Sequence, residues 1–156
     1  MAIAPTLKRY LEQNAADYEL LAHPHTESSM FTAAAAHVPG DQLAKAVIVK
    51  DDETYLMVVV PSDYHVHLGR LHQHLGREVG LATEQELVRL FPDCDEGAAP
   101  PLGAAYDLPT LVDTSLLEQQ QVYFESGDHE SLVKLAGEQF RALLAGAERV
   151  NVGQHV

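Results

Sequence analysis

The sequence predicts a mixed α/β domain, and three observations lead there. About seven short strand-like runs and four or five helical runs follow one another without strict alternation, which favours a mixed sheet over a doubly wound parallel one. Two of those runs, Leu43 to Lys50 and Tyr55 to Val60, are β-branched-rich and separated by Asp51-Asp52-Glu53, the pattern of a β-hairpin. The 156 residues are 46% hydrophobic and 21% charged, which suits one compact domain. That domain is taken as residues 1–156, with its core over residues 5–145.

Taken in order, Thr6 is placed to cap a helix carrying Leu7, Tyr10 and Leu11 and ending near Asn14 or Ala15. A strand follows at Tyr18 to Ala22. His23-Pro24-His25 is extended, because a residue before proline avoids the helical region. Residues 28–37 read as a short alanine-rich helix stopped by Val38-Pro39-Gly40. The second hairpin strand is apolar on both faces, as a central strand covered on two sides should be. His67 to Leu75 carries Leu68, Leu71 and Leu75 at helical spacing, closed by Gly76. Thr83-Glu84-Gln85-Glu86 is a capping box opening a helix to Leu90 or Phe91. Residues 97–109 form a Gly/Pro/Ala loop, longer than a simple connector. Strands are expected at Leu111-Val112, Gln121 to Phe124 and Ser131 to Leu135, with a turn at Ser126 to His129. Glu138 to Leu144 closes the fold as a helix, and the tail 146–156 is expected to fray.

Composition excludes several functions. Twenty-three acidic against ten basic residues give a net charge of −13, a poor basis for wrapping duplex DNA through its phosphates. The lone Cys94 excludes an internal disulfide framework and the cysteine-rich zinc patterns. No run approaches the length of a membrane-spanning helix, and the first residues carry no secretory pattern. A cytoplasmic protein without membrane partners is the expectation.

Three features carry chemistry. Lys45 lies within LAKAVIV and shares a strand face with Leu43, Val47 and Val49. A lysine among apolar side chains is costly to bury, and can stabilise a developing negative charge; it can also simply reach to water. Gly97-Ala98-Ala99-Pro100-Pro101 is a stiff loop in which glycine permits close approach, and the amides of Ala98 and Ala99 can face an oxyanion. His129, in the turn Gly127-Asp128-His129, can line a pocket or exchange a proton. His65, His67, His72 and His74 suggest a metal site. His72 and His74 are two apart on a helix and point to different faces, so no metal is expected. Cys94 is read as structural.

Together these features resemble the YbaK/prolyl-tRNA synthetase editing-domain family of trans-acting aminoacyl-tRNA deacylases. The matching stretches are LAKAVIVKDDETYLMVVVPSDYHVHL, LATEQELVRLFPDCDEGAAPPLG and VYFESGDHESLVKL. The resemblance implies a partly barrel-like mixed sheet and hydrolysis of the ester that joins a wrong amino acid to tRNA, commonly the proline tRNA. It implies that Lys45 is the essential lysine, that Gly97, Ala98, Ala99, Pro100 and Pro101 are the GxxxP loop positioning the aminoacyl group, and that His129, after Gly127, restricts the side chain admitted. An asparagine that some members carry after the lysine is replaced here by Ala46. No cofactor is implied. The expected partner is the acceptor end of an aminoacyl-tRNA, with prolyl-tRNA synthetase or another protein supplying tRNA affinity. The alternative is a binding module for an aminoacyl-adenosine-like ligand without turnover.

Overall fold

Pro5 opens the first helix because its fixed φ suits the first helical turn and its missing N–H costs nothing there. In the computed structural model, which describes residues 3–24, 32–34, 36–52, 54–95 and 97–155, helix α1 runs Pro5–Gln13 with Ala4 as its N-cap residue. Thr6 is therefore inside the helix rather than capping it. Its N–H instead donates to the Asp93 carboxylate at 2.9 Å, so a partner 87 positions away replaces the local cap. Leu7 and Leu11 are fully buried beneath this helix.

Strand β1 (Tyr18–Ala22) follows. Residues 32–34 are helical, and the remainder of the alanine-rich helix expected over 28–37 lies in part outside the described residues, as do His25 and Glu53. A 3₁₀ turn, Gly40–Gln42, leads into β2 (Leu43–Asp51) and β3 (Thr54–Pro61). These two strands pair antiparallel without interruption from Ala44↔Pro61 to Asp51↔Thr54. Next come β4 (Tyr64–Val66), α2 (Leu68–Leu75), β5 (Gly80–Leu81) and α3 (Glu84–Leu90). Gly76 ends α2 at φ 72°, and Thr83 with Glu86 forms both halves of the capping box on α3. The long loop contains a 3₁₀ turn at Gly103–Tyr106. Beyond it lie β6 (Thr110–Asp113), α4 (Thr114–Leu117), β7 (Gln121–Glu125), β8 (Ser131–Ala136) and α5 (Gly137–Leu143).

The tail corrects the expectation of fraying. Glu148–Val150 forms β9, parallel to β6, and Gly153–His155 forms β10, antiparallel to β4. Val150 and Val152 are buried, so residues 148–155 close the core rather than trail from it.

The large sheet has the order β1-β8-β7-β2-β3-β6-β9, with β5 also on β2. It mixes antiparallel pairs (β1/β8, β7/β8, β2/β3) with parallel ones (β2/β7, β3/β6, β6/β9). Met57 to Val60 of the central β3 are all fully buried, divided between two cores. Ala44, Ile48, Met57, Val59 and Phe124 pack with Leu7, Leu11 and Phe140. Val49, Val58 and Val60 pack on the opposite side with Leu71 and Val152.

Candidate functional site

Strand β2 changes neighbours partway along one edge. Leu43 and Ala44 pair with Tyr123 and Phe124 of β7, whereas Val49 and Lys50 pair with Leu81 and Gly80 of β5. Between those pairings, among the described residues, no strand borders β2 on that edge at Lys45, Ala46 and Val47. A sheet that loses a neighbour this way opens a crevice, as at the switch points where open α/β sheets bind ligands.

Two loops border this opening. The turn at residues 126–129 leaves β7 at once, and Asp95, just before Gly97, donates its N–H to Gly127 O at 2.7 Å. The GxxxP loop and the Gly-x-His turn are thus tied by a backbone bond. Gly127 has φ 118°, a conformation that only glycine adopts without strain, and a Cβ there would stand 2.9 Å from Ala4 Cβ. The Ser126 carbonyl also accepts from Ala4 N–H at 2.8 Å, so the start of α1 buttresses the same turn.

Gly97 has φ 78° and is exposed; Ala98, Pro100 and Pro101 are buried. The Ala98 N–H donates to Asp95 O at 3.0 Å within the loop, which corrects the expectation that it faces a ligand. Among the described residues, no acceptor meets the N–H groups of Gly97 or Ala99, and these remain the loop's available donors. Gly97 and Ala99, with Ala46, Ile48, Leu87, Phe91 and Cys94, line a largely apolar cavity of about 70 Å³. Burial pushes the Cys94 thiol up to about 12, which suits its structural reading.

Lys45 does not line that cavity. Alternation along β2 puts it on the other face from Ala46 and Ile48. Its ammonium donates to the Ser62 carbonyl at 3.3 Å. Burial lowers its pKa, and the negative charge of Asp63 opposes that shift. The register Leu43↔Tyr123 and Ala44↔Phe124 sets Lys45 level with Glu125, on the face where Leu43 and Tyr123 join Ala33 and Leu132. His129 Nδ1 approaches Glu125 there, at 2.7 Å. Lys45 and the turn histidine therefore share one side of the crevice, and the cavity of the GxxxP loop lies on the other.

His129 is buried, at φ 57°, with Nδ1 2.7 Å from Glu125 Oε2. The other carboxylate oxygen lies 3.3 Å from His23 Nε2. Burial pushes the Glu125 carboxyl up to about 7. The sequence reading passed over Glu125 and His23. A carboxylate ending the apolar run QVYFE immediately before a glycine turn is the signal that pointed to it.

The clustered histidines are used separately. His67 accepts the Arg70 N–H at the start of α2, His72 donates to Val79 O, and His74 pairs with Glu148. Among the described residues no His/Cys/Asp/Glu group is arranged to hold a metal ion, and no helix is long and apolar enough to cross a membrane.

Comparison with known proteins gives these features a context. The family model described as the aminoacyl-tRNA editing domain matches residues 23–143. A proline–tRNA ligase of Bacillus cytotoxicus is 26% identical over 113 residues, covering 71% of this chain and 20% of the ligase. The chain thus spans about a fifth of that relative's length. Among solved structures, a candidate trans-editing enzyme for prolyl tRNA synthetase superposes with a TM-score of 0.84 at 21% identity, covering 99% of this chain and 98% of the other. A candidate signal transduction protein from Marinobacter aquaeolei VT8 superposes at 0.77 and 23% identity, over 95% of this chain and 30% of that one. At such identities the superpositions establish the mixed α/β fold.

Proposed function

The chain belongs to the aminoacyl-tRNA editing domain family, and from that membership we propose that it deacylates mischarged aminoacyl-tRNA, with alanine on the proline acceptor as its substrate. The observation that carries this reading is the gap in β2 pairing at Lys45–Val47, bordered by the tied GxxxP loop and Gly-x-His turn.

The chemistry asks little of the protein, because an aminoacyl ester is already activated. Water attacks the ester carbonyl, negative charge develops on its oxygen, and the ribose oxygen leaves with a proton. In this proposal the N–H groups of Gly97 and Ala99 stabilise the oxyanion, while Ala98, Pro100 and Pro101 hold the loop rigid. The Lys45 ammonium holds the terminal ribose and supplies positive charge to the departing oxygen. Its depressed pKa makes its proton easier to give. His129 and Gly127 close the side-chain subsite, which makes the site a second sieve. A synthetase pocket discriminates against a smaller apolar amino acid by only about 1–3 kcal/mol, so a sieve of this kind is needed.

A net charge of −13 argues against broad tRNA contact. The proposal confines contact to the acceptor end and leaves further affinity to a partner such as prolyl-tRNA synthetase. A panel of proline tRNAs charged with alanine, cysteine, serine or proline tests the function. Alanine should be released fastest and proline spared, with a shallow salt dependence. Release of none of the four would overturn the reading in favour of a binding module.

A further inference from the structure

The pair of imidazoles around Glu125 has an internal logic. His23 Nδ1 lies 2.7 Å from Pro24 O. A carbonyl oxygen only accepts, so Nδ1 carries the proton, and in the neutral ring Nε2 has none. That bare nitrogen faces Glu125 Oε1 at 3.3 Å, where two lone pairs would repel. A proton therefore stands between them, on the carboxyl or on the imidazole. The second oxygen, Oε2, lies 2.7 Å from His129 Nδ1. At that distance two bare lone pairs would repel, so His129 Nδ1 carries a proton, and in the neutral ring the nitrogen left without one is Nε2.

From this geometry we infer that Glu125, backed by His23, is a positioning residue that fixes the tautomer of His129 with Nδ1 protonated and Nε2 as the acceptor. The side chains of His23, Glu125 and His129 are all at least nine-tenths buried, so bulk water does not compete for these protons. The use of Nε2 toward the aminoacyl group rests on the function proposed above; the tautomer itself does not.

Other groups around the carboxyl are consistent with this assignment. Asp128, in the turn, raises the Glu125 pKa, and Thr32 hydrogen-bonds the carboxylate from residues 32–34. From β8, the residue opposite Glu125 is the uncharged Leu132. From β2, Lys45 stands level with it, but its ammonium is directed to Ser62 O. The shared proton is held at low pH and lost as pH rises through about 7. Above that, the lone pairs of Oε1 and His23 Nε2 oppose one another and His23 no longer backs the carboxylate, while Oε2 still disfavours a bare His129 Nδ1.

Glutamine imitates the protonated carboxyl without titrating. Its NH₂ donates to His23 Nε2 and its carbonyl accepts from His129 Nδ1. The test uses long-range ¹H–¹⁵N spectra of the imidazoles together with deacylation of alanyl-tRNA from pH 6 to 9, in wild type, Glu125→Gln and Glu125→Ala. The expected results are a single Nδ1–H tautomer for His129 in wild type and Glu125→Gln, a pH profile flattened near 7 in Glu125→Gln, and an activity loss of about tenfold or more in Glu125→Ala. An Nε2–H tautomer in wild type, or a Glu125→Gln protein whose His129 samples both tautomers, would overturn the inference. Should no acyl group be released by any form, the spectra still decide the tautomer while the deacylase reading fails. Should Glu125→Ala not fold, wild type and Glu125→Gln carry the decision.

Discussion

Replacing Gly127 by alanine should loosen the turn that ties the two loops of the crevice. The residue sits at φ 118°, and holding an L side chain there costs about 1–3 kcal/mol in backbone strain. The added methyl would lie 2.9 Å from Ala4 Cβ and 3.5 Å from Cys94 Sγ. Ala4 cannot retreat freely, since its N–H donates to Ser126 O and it begins α1. Strain and contact together should destabilise the fold by about 2–4 kcal/mol, or roughly 5–15 °C in Tm for a domain of this size. Gly146 is the control, because an added Cβ there meets nothing within 4 Å; Gly146→Ala should change stability by less than about 0.5 kcal/mol. Urea unfolding measures both. Deacylation assayed well below the unfolding midpoint should also fall in Gly127→Ala, as Gly127 O can no longer hold Asp95 N–H in register. If Gly127→Ala unfolds at the wild-type urea concentration, the backbone geometry assigned to this turn is wrong.

Other expectations follow from the same structure. Glu86 is held at about 2, chiefly by its bond from Lys50, with Tyr55 also donating to it; its contribution should be present above pH 4.5 and fade as pH falls toward 2. Glu86→Gln should therefore flatten stability against pH across that window, and an unchanged slope in urea titrations would contradict the assignment. The Cys94 thiol, raised to about 12, should react slowly with a disulfide reagent at pH 8 and fully in denaturant; rapid native-state reaction would show an open, ionised thiol. Val152→Asp should cost more than about 3 kcal/mol, since it buries an unpaired charge where β10 joins the core, and a neutral result in chemical denaturation would restore the frayed tail.

Local signals were the legible ones. The β2–β3 hairpin, the Thr83 capping box and the Gly76 stop each depend on residues a few positions apart, and each forms where the pattern put it. Elements defined by distant partners were not. β9 and β10 are three residues each and exist because β6 and β4 present open edges; no periodicity in ERVNVGQH marks them as strands. The start of α1 moved from Thr6 to Ala4 for the same reason, since Asp93 satisfies the Thr6 amide. At the site, residue types and spacing singled out Lys45, the GxxxP loop and His129. Sequence could not reveal which face of β2 the loop's cavity occupies, which depends on how the distant Leu87, Phe91, Cys94, Gly97 and Ala99 pack against Ala46 and Ile48. Glu125 and His23 were passed over because their meaning lies in a contact across 102 positions of chain.

The central claim is that the Lys45 ammonium, at the gap in β2, assists ester hydrolysis. Single-turnover release of alanine from proline tRNA by wild type and Lys45→Met tests it most directly, since methionine keeps the packing of the side chain and removes its charge. A rate lower by about 10²–10³, with the urea midpoint little changed, is the predicted result. Hydrolysis by Lys45→Met at the wild-type rate would contradict the account.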